Sequence, residues 1–287
     1  MKVLTIGNGF IANHLPYKIL DTRVDLSSKA IDNMLDVNKP DVLINAIGFC
    51  GRPNVDQCEV MKEKTSITNT ALPILLADAC AKKSIHLIQI GSGCIFFGKS
   101  PNYAMPPGYN SYHTGSNEWM DTGWKEDDFA NPKSYYSKSK YACDLMLGGF
   151  SNVTTLRIRI PISTKNNPRN TINKLINYKQ VIDIPNSMTF MHNLVSCVDW
   201  AIKQSKTGTF HVVNPQPLTP AQIMREYQKY VPSHSFEIID EVQLDKIMIA
   251  KRSNCIINGD KLKKAGFIMD PSEDALKRCM AEYIKNI

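Results

Sequence analysis

Short apolar runs alternate with longer amphipathic segments through the first two thirds of the chain. The runs are KVLTI at 2–6, DVLINAIG at 41–48, IHLIQIGS at 85–92 and TTLRIRI at 154–160. Helical spacing fills the stretches between them, and this alternation predicts β-α-β units around a parallel sheet. A further strand, TGTFHVVNP at 207–215, is expected to return to the sheet.

Two helices are predicted between these strands. The first covers about 60–82, where ITNTALPILLADACA has apolar residues at i, i+3 and i+4, so one face should pack on the sheet or on a partner subunit. The second carries SYYSKSKYACDLMLGG and should end at the Gly148-Gly149 pair. Residues 99–133 lack periodicity and predict a long loop near a site.

Composition narrows the class of protein. The 287 residues are 43% hydrophobic and 21% charged, which is typical of a globular protein with one large domain and a smaller appendage. The net charge of +7 comes from scattered basic residues that never form a block of five, so no nucleic-acid partner is expected.

Cysteine and histidine spacing indicates neither a metal site nor a disulfide framework. The eight cysteines contain no C-x-x-C pair, and the six histidines show no ligand spacing, so reduced thiols and a cytoplasmic location are expected. MKVLTIGNGF leads directly into a strand, and no apolar run approaches the roughly 18 residues of a membrane span. No membrane partner is predicted.

The segment GNGFIA follows the first predicted strand, where a dinucleotide-binding loop belongs, and is expected to open a helix. Gly7 would permit a tight turn, Gly9 the approach of the backbone to a pyrophosphate, and Ala12 close packing of helix on strand. An ordinary strand-to-helix turn is the alternative. The residues expected at the cofactor are Gly7, Asn8, Gly9, Phe10 and Ile11.

The stretch DTRVDL at 21–26 follows a short second strand and should lie near the cofactor ribose. A carboxylate such as Asp25 favours the free 2′-hydroxyl of NADH, whereas Arg23 favours the 2′-phosphate of NADPH. Arg23 and Leu26 are therefore added to the expected cofactor contacts, with NADPH preferred and NADH possible. A solvated surface arginine is the alternative for Arg23.

Tyr136 and Lys140 have the spacing of neighbours on one helix face. The ammonium should lower the pKa of the phenol, which makes Tyr136 a candidate general acid at a carbonyl being reduced. Ser92, at the end of IHLIQIGS, would hydrogen-bond the same carbonyl oxygen. Taken alone, Y-x-x-x-K could be a chance surface pair.

This combination resembles the extended short-chain dehydrogenase/reductase family. NAIG at 45–48 is similar to a strand end of that family, Asn69 falls where the family has a helix asparagine, and NGDKLKKAG at 258–266 is similar to its C-terminal segment. The glycine loop is one residue shorter than the family pattern. The resemblance implies the catalytic set Ser92, Tyr136 and Lys140, with Ala46, Gly48 and Pro161 beside the cofactor.

Six further blocks resemble a narrower family, the bifunctional nucleotide-rhamnose synthases, which are 3,5-epimerase/4-reductases. The blocks, in order, are GRPNVDQCE, GCIF, LRIRIPIS, NPRNTINK, IPNSMT and RSN. The resemblance implies UDP-4-keto-6-deoxyglucose as substrate, NADPH as reductant, a homodimer, and an epimerising pair formed by Cys94 and Lys174. A small buried thiol and a solvent-facing amine are the alternatives for these two residues.

The implied chemistry suits these groups. A 4-ketone acidifies the hydrogens at C3 and C5, so one oxyanion site built from Ser92 and Tyr136 could serve both enolates and the later alkoxide. Inverting a carbon needs proton carriers on opposite faces of the sugar, which a thiol and an amine could provide. Which of Cys94 and Lys174 is acid or base stays open, as does the choice between UDP and dTDP.

Polar residues in the matched blocks are candidates for holding the sugar and the diphosphate, because arginine forks match phosphate oxygens. Turn-forming and ion-pair roles are the alternatives. The candidates are Arg52, Asn54, Asn167, Arg169, Asn170, Asn186 and Arg252.

The predicted fold is α/β, a doubly wound parallel sheet of the Rossmann type with a smaller C-terminal substrate lobe. Residues 1–160 and 189–215 should form the NADP-binding domain, and residues 161–188 and 216–287 the substrate-binding lobe. The predicted function is 3,5-epimerisation and NADPH-dependent 4-reduction to UDP-β-L-rhamnose. The alternatives are a 4-ketoreductase acting alone and a non-catalytic dinucleotide-binding regulatory subunit.

Overall fold

The computed structural model describes residues 1–20, 27–101 and 123–287. These residues divide into two compact units. The first unit comprises 1–95, 130–157 and 195–210, and the second comprises 158–194, 211–287 and the described parts of 96–129. In chain order the strands are β1 Val3–Ile6, β2 Lys18–Leu20, β3 Val42–Asn45, β4 His86–Ser92, β5 Val153–Ile158, β6 Pro161–Ile162, β7 Gln180–Ile182, β8 Thr189–Phe190, β9 Gly208–Val212 and β10 Glu237–Ile239.

Six strands form one sheet in the order β2-β1-β3-β4-β5-β9. The β1–β2, β1–β3 and β3–β4 pairs are parallel, and every residue of β3 is buried, as expected for a strand covered on both faces. The predicted α/β fold with a parallel sheet is confirmed, including the return of the 207–215 segment as β9. The strand order changes direction between β1 and β3, which is where doubly wound sheets bind ligands.

The described helices are α1 Ser28–Asn38, α2 Asp56–Val60, α3 Lys62–Ser66, α4 Leu72–Lys82, α5 Tyr135–Leu147, α6 Thr171–Ile176, α7 Met191–Lys203, α8 Pro220–Gln228, α9 Glu241–Ile247, α10 Asp260–Lys264 and α11 Ser272–Lys285. In the first unit, α1, α4 and α5 contribute to one apolar cluster with the strands. Leu4, Leu43 and Leu87 line its sheet side, and Leu35 and Leu76 come from the helices.

The expected single helix at 60–82 is wrong in its details. Val60 ends α2, Met61 interrupts the helix, and a five-residue π-helical turn at Ile67–Ala71 separates α3 from α4. Pro73 has no N–H with which to close a regular bond to the carbonyl of Asn69. The Leu72 N–H instead reaches the Ile67 carbonyl oxygen, five residues back, which widens this turn.

The expectation that GNGFIA opens a helix is also wrong. β1 is followed by a three-residue 3-10 turn at Ala12–His14, and β2 begins at Lys18. Pro16 explains the early end, because a proline inside a helix removes one N–H and clashes with the preceding turn. Ala12 is nevertheless fully buried, as expected for the small residue of this segment.

α5 follows the prediction closely. Ser134 caps its first turn by accepting a hydrogen bond from the Ser137 N–H at 3.2 Å, and the helix ends before Gly148. A buried ion pair ties α5 to β5, since Arg157 Nε donates to Asp144 Oδ2 at 2.8 Å. The catalytic candidates on α5 are therefore held against the sheet by both packing and charge.

The second unit contains two small parallel pairs, β6–β8 and β7–β10. Its apolar cluster joins α8 and α11, through residues such as Met224 and Met280, to Phe190 of β8. The helices predicted near 220–230 and 270–285 are both present. A capping box, Thr219 with Gln222, begins α8.

Residues 96–101 and 123–129 belong to the second unit, whereas the predicted NADP-binding domain included them. The reason is pairing with the C-terminal part of the chain. The Gly98 N–H donates to the Asn254 carbonyl oxygen at 2.9 Å, and Trp124 forms a parallel bridge with Ile257. These contacts are long-range in sequence and have no local signal.

Among the helices of the described residues, none is both long and apolar enough to cross a membrane. Within 1–20, 27–101 and 123–287, no group of three or more His, Cys, Asp or Glu side chains is placed to hold a metal ion.

Candidate active site

Gly7 lies at the carboxyl end of β1, next to the segment that follows β3. Its φ of +100° is a conformation that favours glycine, and a Cβ at this position would lie 3.0 Å from both Ala46 C and Ile47 Cγ1. The predicted glycine loop and the predicted NAIG segment are thus in direct contact at the point where strand order changes. Asn13 Nδ2 fixes the loop by donating to Gly9 O at 2.8 Å and to Asn8 Oδ1 at 3.1 Å.

The loop fits a dinucleotide on its open side. A Cβ built on Gly9 would meet no protein atom within 4 Å, so packing against the described protein does not explain the glycine there. The close approach of a ligand phosphate is what such a glycine permits in dinucleotide-binding loops. Phe10 and Ile11 are half-buried beside it. The predicted ribose contacts Arg23, Asp25 and Leu26 lie outside the described residues.

Ser92 is the last residue of β4 and is almost completely buried. Its hydroxyl oxygen accepts the Cys94 N–H at 3.2 Å, and the Cys94 carbonyl oxygen accepts the Ser137 hydroxyl at 2.6 Å. Ser92 also hydrogen-bonds the Tyr136 side chain. Hydrogen bonds therefore join the loop after β4 to the first turn of α5. Three of the predicted catalytic residues, Ser92, Cys94 and Tyr136, take part in them.

The expected lowering of the Tyr136 pKa by Lys140 is wrong for this structure. Withdrawal from water raises the pKa of Tyr136, the thiols of Cys94 and Cys50 raise it further, and the hydrogen bond from Ser92 opposes the rise. Burial outweighs the expected effect of the lysine, and the phenol is kept protonated. The hydroxyl of the neighbouring Tyr135 forms a hydrogen bond with the Ser66 hydroxyl at 2.7 Å.

Lys140 is buried, and its Nζ faces the segment after β3. A Cβ on Gly48 would lie 3.5 Å from Lys140 Nζ and 3.8 Å from Asn69 Oδ1. The Asn69 amide holds the next residue, accepting the Phe49 N–H and donating to the Phe49 carbonyl oxygen, both at 2.8 Å. Asn69 itself sits in the π-helical turn, a feature often found at functional sites.

Two thiols near Tyr136 were not predicted. Cys50 is half-buried and acts electrostatically on the phenol, as does Cys58 more weakly. Cys58 Sγ contacts the Phe49 carbonyl oxygen at 3.7 Å, and burial raises the pKa of its thiol to about 11. Cys58 lies in the block GRPNVDQCE and Cys50 immediately precedes it, so both positions are evident from the sequence. Their proximity to α5 depends on tertiary packing, which the sequence does not show.

Asn170 and Asn186, both predicted to bind substrate, have side chains occupied by the protein. Asn170 caps α6, accepts the Ser163 N–H and donates to the carbonyl oxygens of Ser163 and Lys165. Asn186 Oδ1 accepts from Arg159 Nη2 at 2.5 Å, and its Nδ2 donates to Ile184 O and Asn254 Oδ1. Both are almost fully buried, so the structure favours structural roles for them.

The other predicted residues of the second unit are more accessible. Asn167 accepts the Arg169 N–H at 2.9 Å and forms a turn before α6. Lys174 is half-buried on α6, and Arg252 donates to Ala250 O at 3.0 Å. Lys174 and Cys94 belong to different units.

Arg52, Asn54 and Pro161 are the remaining predicted residues. Arg52 is exposed and its N–H donates to Gln57 Oε1 at 2.8 Å, while Asn54 Oδ1 accepts the N–H of Asp56, the first residue of α2, at 2.8 Å. Pro161 starts β6, and its carbonyl oxygen accepts the Thr171 hydroxyl at 2.8 Å. The Arg52 guanidinium is thus on the surface of the first unit.

Most of the chain is similar in sequence to known proteins. The RmlD substrate binding domain model matches residues 14–285. A bifunctional dTDP-4-dehydrorhamnose 3,5-epimerase/dTDP-4-dehydrorhamnose reductase of Arabidopsis thaliana is 37% identical over 228 residues, which are 78% of this chain and 71% of that protein.

Solved structures agree in fold. The L780 UDP-rhamnose synthase of Acanthamoeba polyphaga mimivirus superposes with a TM-score of 0.84 at 27% identity, covering 98% of this chain and 99% of that chain. The dTDP-4-dehydrorhamnose reductase of Bacillus anthracis, solved with NADP, has a TM-score of 0.79 at 20% identity and covers 98% and 100%. Because the family model spans nearly the whole sequence, the chain belongs to the RmlD substrate binding domain family.

Proposed function

We propose that this protein is an NADPH-dependent enzyme that reduces the 4-keto group of a nucleotide-linked 6-deoxysugar. We further propose that it first epimerises C3 and C5 of UDP-4-keto-6-deoxy-D-glucose, so that the product is UDP-β-L-rhamnose. The observation that carries the proposal is the hydrogen-bonded set of Ser92, Cys94 and Tyr136, which combines two hydroxyl groups for a carbonyl oxygen with a nearby thiol.

Gly7, Gly9 and Gly48 are the proposed points at which the backbone approaches the cofactor. Gly9 is open to a phosphate, and Gly48 lies beside Lys140 Nζ. NADPH, when bound, supplies the hydride that reaches C4. The protein's part is to hold the ketone oxygen and to deliver one proton to it.

Ser92 and Tyr136 are the proposed donors to the oxygen on C4. The Ser92 oxygen accepts the Cys94 N–H, so its own proton is the one that donates, to Tyr136 in this structure and to the ketone oxygen when the sugar is bound. Burial keeps Tyr136 protonated, so the phenol can transfer its proton to the alkoxide as that charge develops. The buried ammonium of Lys140 would then stabilise the phenolate until it is reprotonated.

The same two hydroxyls would stabilise the enolates formed at C3 and C5. Each inversion removes a proton from one face of the ring and returns one to the other face. Cys94 is proposed as the carrier on one face because it follows Ser92 by two residues and is half-buried. Lys174 is proposed for the opposite face on the resemblance of its segment alone.

A 4-ketoreductase without epimerase activity is the second candidate. The name of the Bacillus anthracis structural relative favours it, since that protein is called a dTDP-4-dehydrorhamnose reductase. The bifunctional proposal is supported by the name of the Arabidopsis relative, a 3,5-epimerase/reductase, and by the Cys94 thiol close to Ser92.

Isotope labelling separates the two candidates. The protein is supplied with UDP-4-keto-6-deoxyglucose and NADPH in deuterated water, and the deuterium in the product is located by NMR. Label at both C3 and C5 is the expected result. Reduced product without label at either carbon would leave only the 4-ketoreductase.

Cys94→Ala provides the matched control. This variant should keep the ability to reduce a sugar that has already been epimerised, while it loses label at C3, C5 or both. Parallel loss of both activities would contradict a separate role for the thiol. The same measurement with dTDP-4-keto-6-deoxyglucose tests base preference.

A homodimer through the helical segment at 60–82 is part of the proposal. Light scattering on the purified protein tests it, with a mass of twice 32.3 kDa as the expected result.

A further inference from the structure

We propose that Ser137 is a positioning residue that fixes Cys94 relative to Tyr136 and thereby supports epimerisation more than reduction. This inference rests on the proposed bifunctional activity. The resemblance gives Cys94 a role but assigns none to the Ser137 hydroxyl.

The contact joins two chain segments that are 43 residues apart. The Ser137 hydroxyl donates to the Cys94 carbonyl oxygen at 2.6 Å, and Ser137 is 1% exposed. Because a hydroxyl has one proton and the carbonyl can only accept, the Ser137 oxygen receives its second hydrogen bond, at 2.8 Å, from the Ser134 hydroxyl. The direction of the Ser134–Ser137–Cys94 chain is therefore determined.

Capping of α5 does not account for this arrangement. Ser134 already caps the helix by accepting the Ser137 N–H, so the Ser137 side chain is not needed for the first turn. Its hydroxyl is directed instead to the loop after β4. Gly93 immediately precedes Cys94, and glycine allows the backbone more conformational freedom than any other residue type.

The two activities depend on this contact to different degrees. Reduction uses the Ser92 and Tyr136 side chains, which hydrogen-bond each other directly. Epimerisation also needs the Cys94 thiol at a set distance from the carbon that loses or gains a proton. Without the Ser137 hydroxyl, the Cys94 carbonyl loses its anchor, while Ser92 remains part of β4 and Tyr136 remains part of α5.

Ser137→Ala is the test, with Ser134→Ala as the matched control. Ser134→Ala removes a hydroxyl from the same helix turn and loses the cap, but it keeps the donor to Cys94. Two rates are measured for each variant: deuterium incorporation at C3 and C5 from UDP-4-keto-6-deoxyglucose, and NADPH oxidation with the pre-epimerised 4-keto sugar. Thermal unfolding is followed alongside.

A misplacement of about 1 Å can lower a rate about 100-fold, so we expect Ser137→Ala to lower epimerisation at least about tenfold relative to reduction. Ser137→Thr, which retains the hydroxyl, should restore the ratio, and Ser134→Ala should leave it unchanged. Equal losses of both rates in Ser137→Ala, or the same ratio change in Ser134→Ala, would overturn the positioning role.

The wild-type result separates this inference from the function on which it rests. If the wild-type protein incorporates no deuterium, the bifunctional proposal fails and the role of Ser137 in epimerisation fails with it. If the wild type incorporates deuterium and Ser137→Ala keeps the wild-type ratio of the two rates, only the inference about Ser137 is overturned.

Discussion

Arg157 Nε on β5 lies 2.8 Å from Asp144 Oδ2 on α5, and both side chains are buried. The pair joins the strand next to Ser92 to the helix that carries Tyr136 and Lys140. Burial raises the pKa of Asp144, and the Arg157 charge works against that rise. Arg157 therefore supplies most of the positive charge that stabilises the ionised form of Asp144.

Removal of Arg157 should strongly destabilise the fold. In Arg157→Met the Asp144 carboxyl stays buried without its counter-charge, and we expect a loss of about 3–5 kcal/mol in the free energy of unfolding at neutral pH. Urea denaturation measures it. Arg157→Met/Asp144→Leu should recover most of the loss, and an unchanged single variant would contradict the role of the pair.

The loss in the free energy of unfolding caused by Arg157→Met should become smaller as pH falls. Its native state holds a proton on Asp144 at pH values where the unfolded chain has released it, so stability falls as pH rises above the usual range of aspartate. Unfolding curves of the variant and wild type should therefore converge as pH falls toward about 4. A deficit that grows on acidification would count against this account.

Gly7 and Gly9 should respond differently to a single methyl group. Gly7→Ala places a Cβ 3.0 Å from Ala46 and Ile47 at a φ of +100°, and we expect a stability loss of about 1–3 kcal/mol. Gly9→Ala meets no protein atom within 4 Å, so it should unfold like wild type and yet bind NADPH more weakly. Thermal melts and calorimetric titration with NADPH make the comparison. Wild-type affinity in a well-folded Gly9→Ala would argue against a cofactor at this loop.

Tyr136 should not ionise in the usual range of tyrosine in the protein without cofactor. Burial and the neighbouring thiols raise its pKa above the ordinary 10.0, so the phenolate is absent up to about pH 10. Ultraviolet titration of wild type and Tyr136→Phe should give the same phenolate absorbance up to that pH. Extra absorbance from the wild type near neutrality would show that Lys140 dominates after all.

Thiol reactivity should follow burial. Cys50 and Cys94 are half-buried, whereas burial raises the pKa of Cys58 to about 11 and those of Cys80 and Cys143 to about 12. Since the thiolate is the nucleophile, iodoacetamide at about pH 8 should modify Cys50 and Cys94 first. Peptide mass spectrometry gives the order, with Cys94→Ala as the control for assignment. Early modification of Cys58 would contradict the packing around Phe49.

The strands and α5 were predictable because their signals are local. Apolar runs set β1, β3, β4 and β5, and the Ser134 cap and Gly148 set the two ends of α5. Pro16 and Pro73 were equally visible, and giving them their full weight would have predicted the short turn after β1 and the interrupted helix at 60–82.

The candidate site was predictable only in part. Ser92, Tyr136 and Lys140 lie at positions that spacing and strand ends indicate. The electrostatic effect of Cys50 on Tyr136, and the use of Asn186 by Arg159, depend on contacts between distant segments. The direction of the Tyr136 pKa depends on desolvation, which a sequence spacing does not measure.

The π-helical turn at Ile67–Ala71 also determines the directions around the helix axis in which the side chains of α4 point. Each residue of a regular helix advances about 100° around the axis, so one residue more per turn rotates everything that follows by that amount. α4 can therefore direct Leu76 to the apolar cluster while Asn69 reaches the Phe49 backbone. A single-residue deletion within the turn would make the helix regular and turn one of these two faces away from its partner.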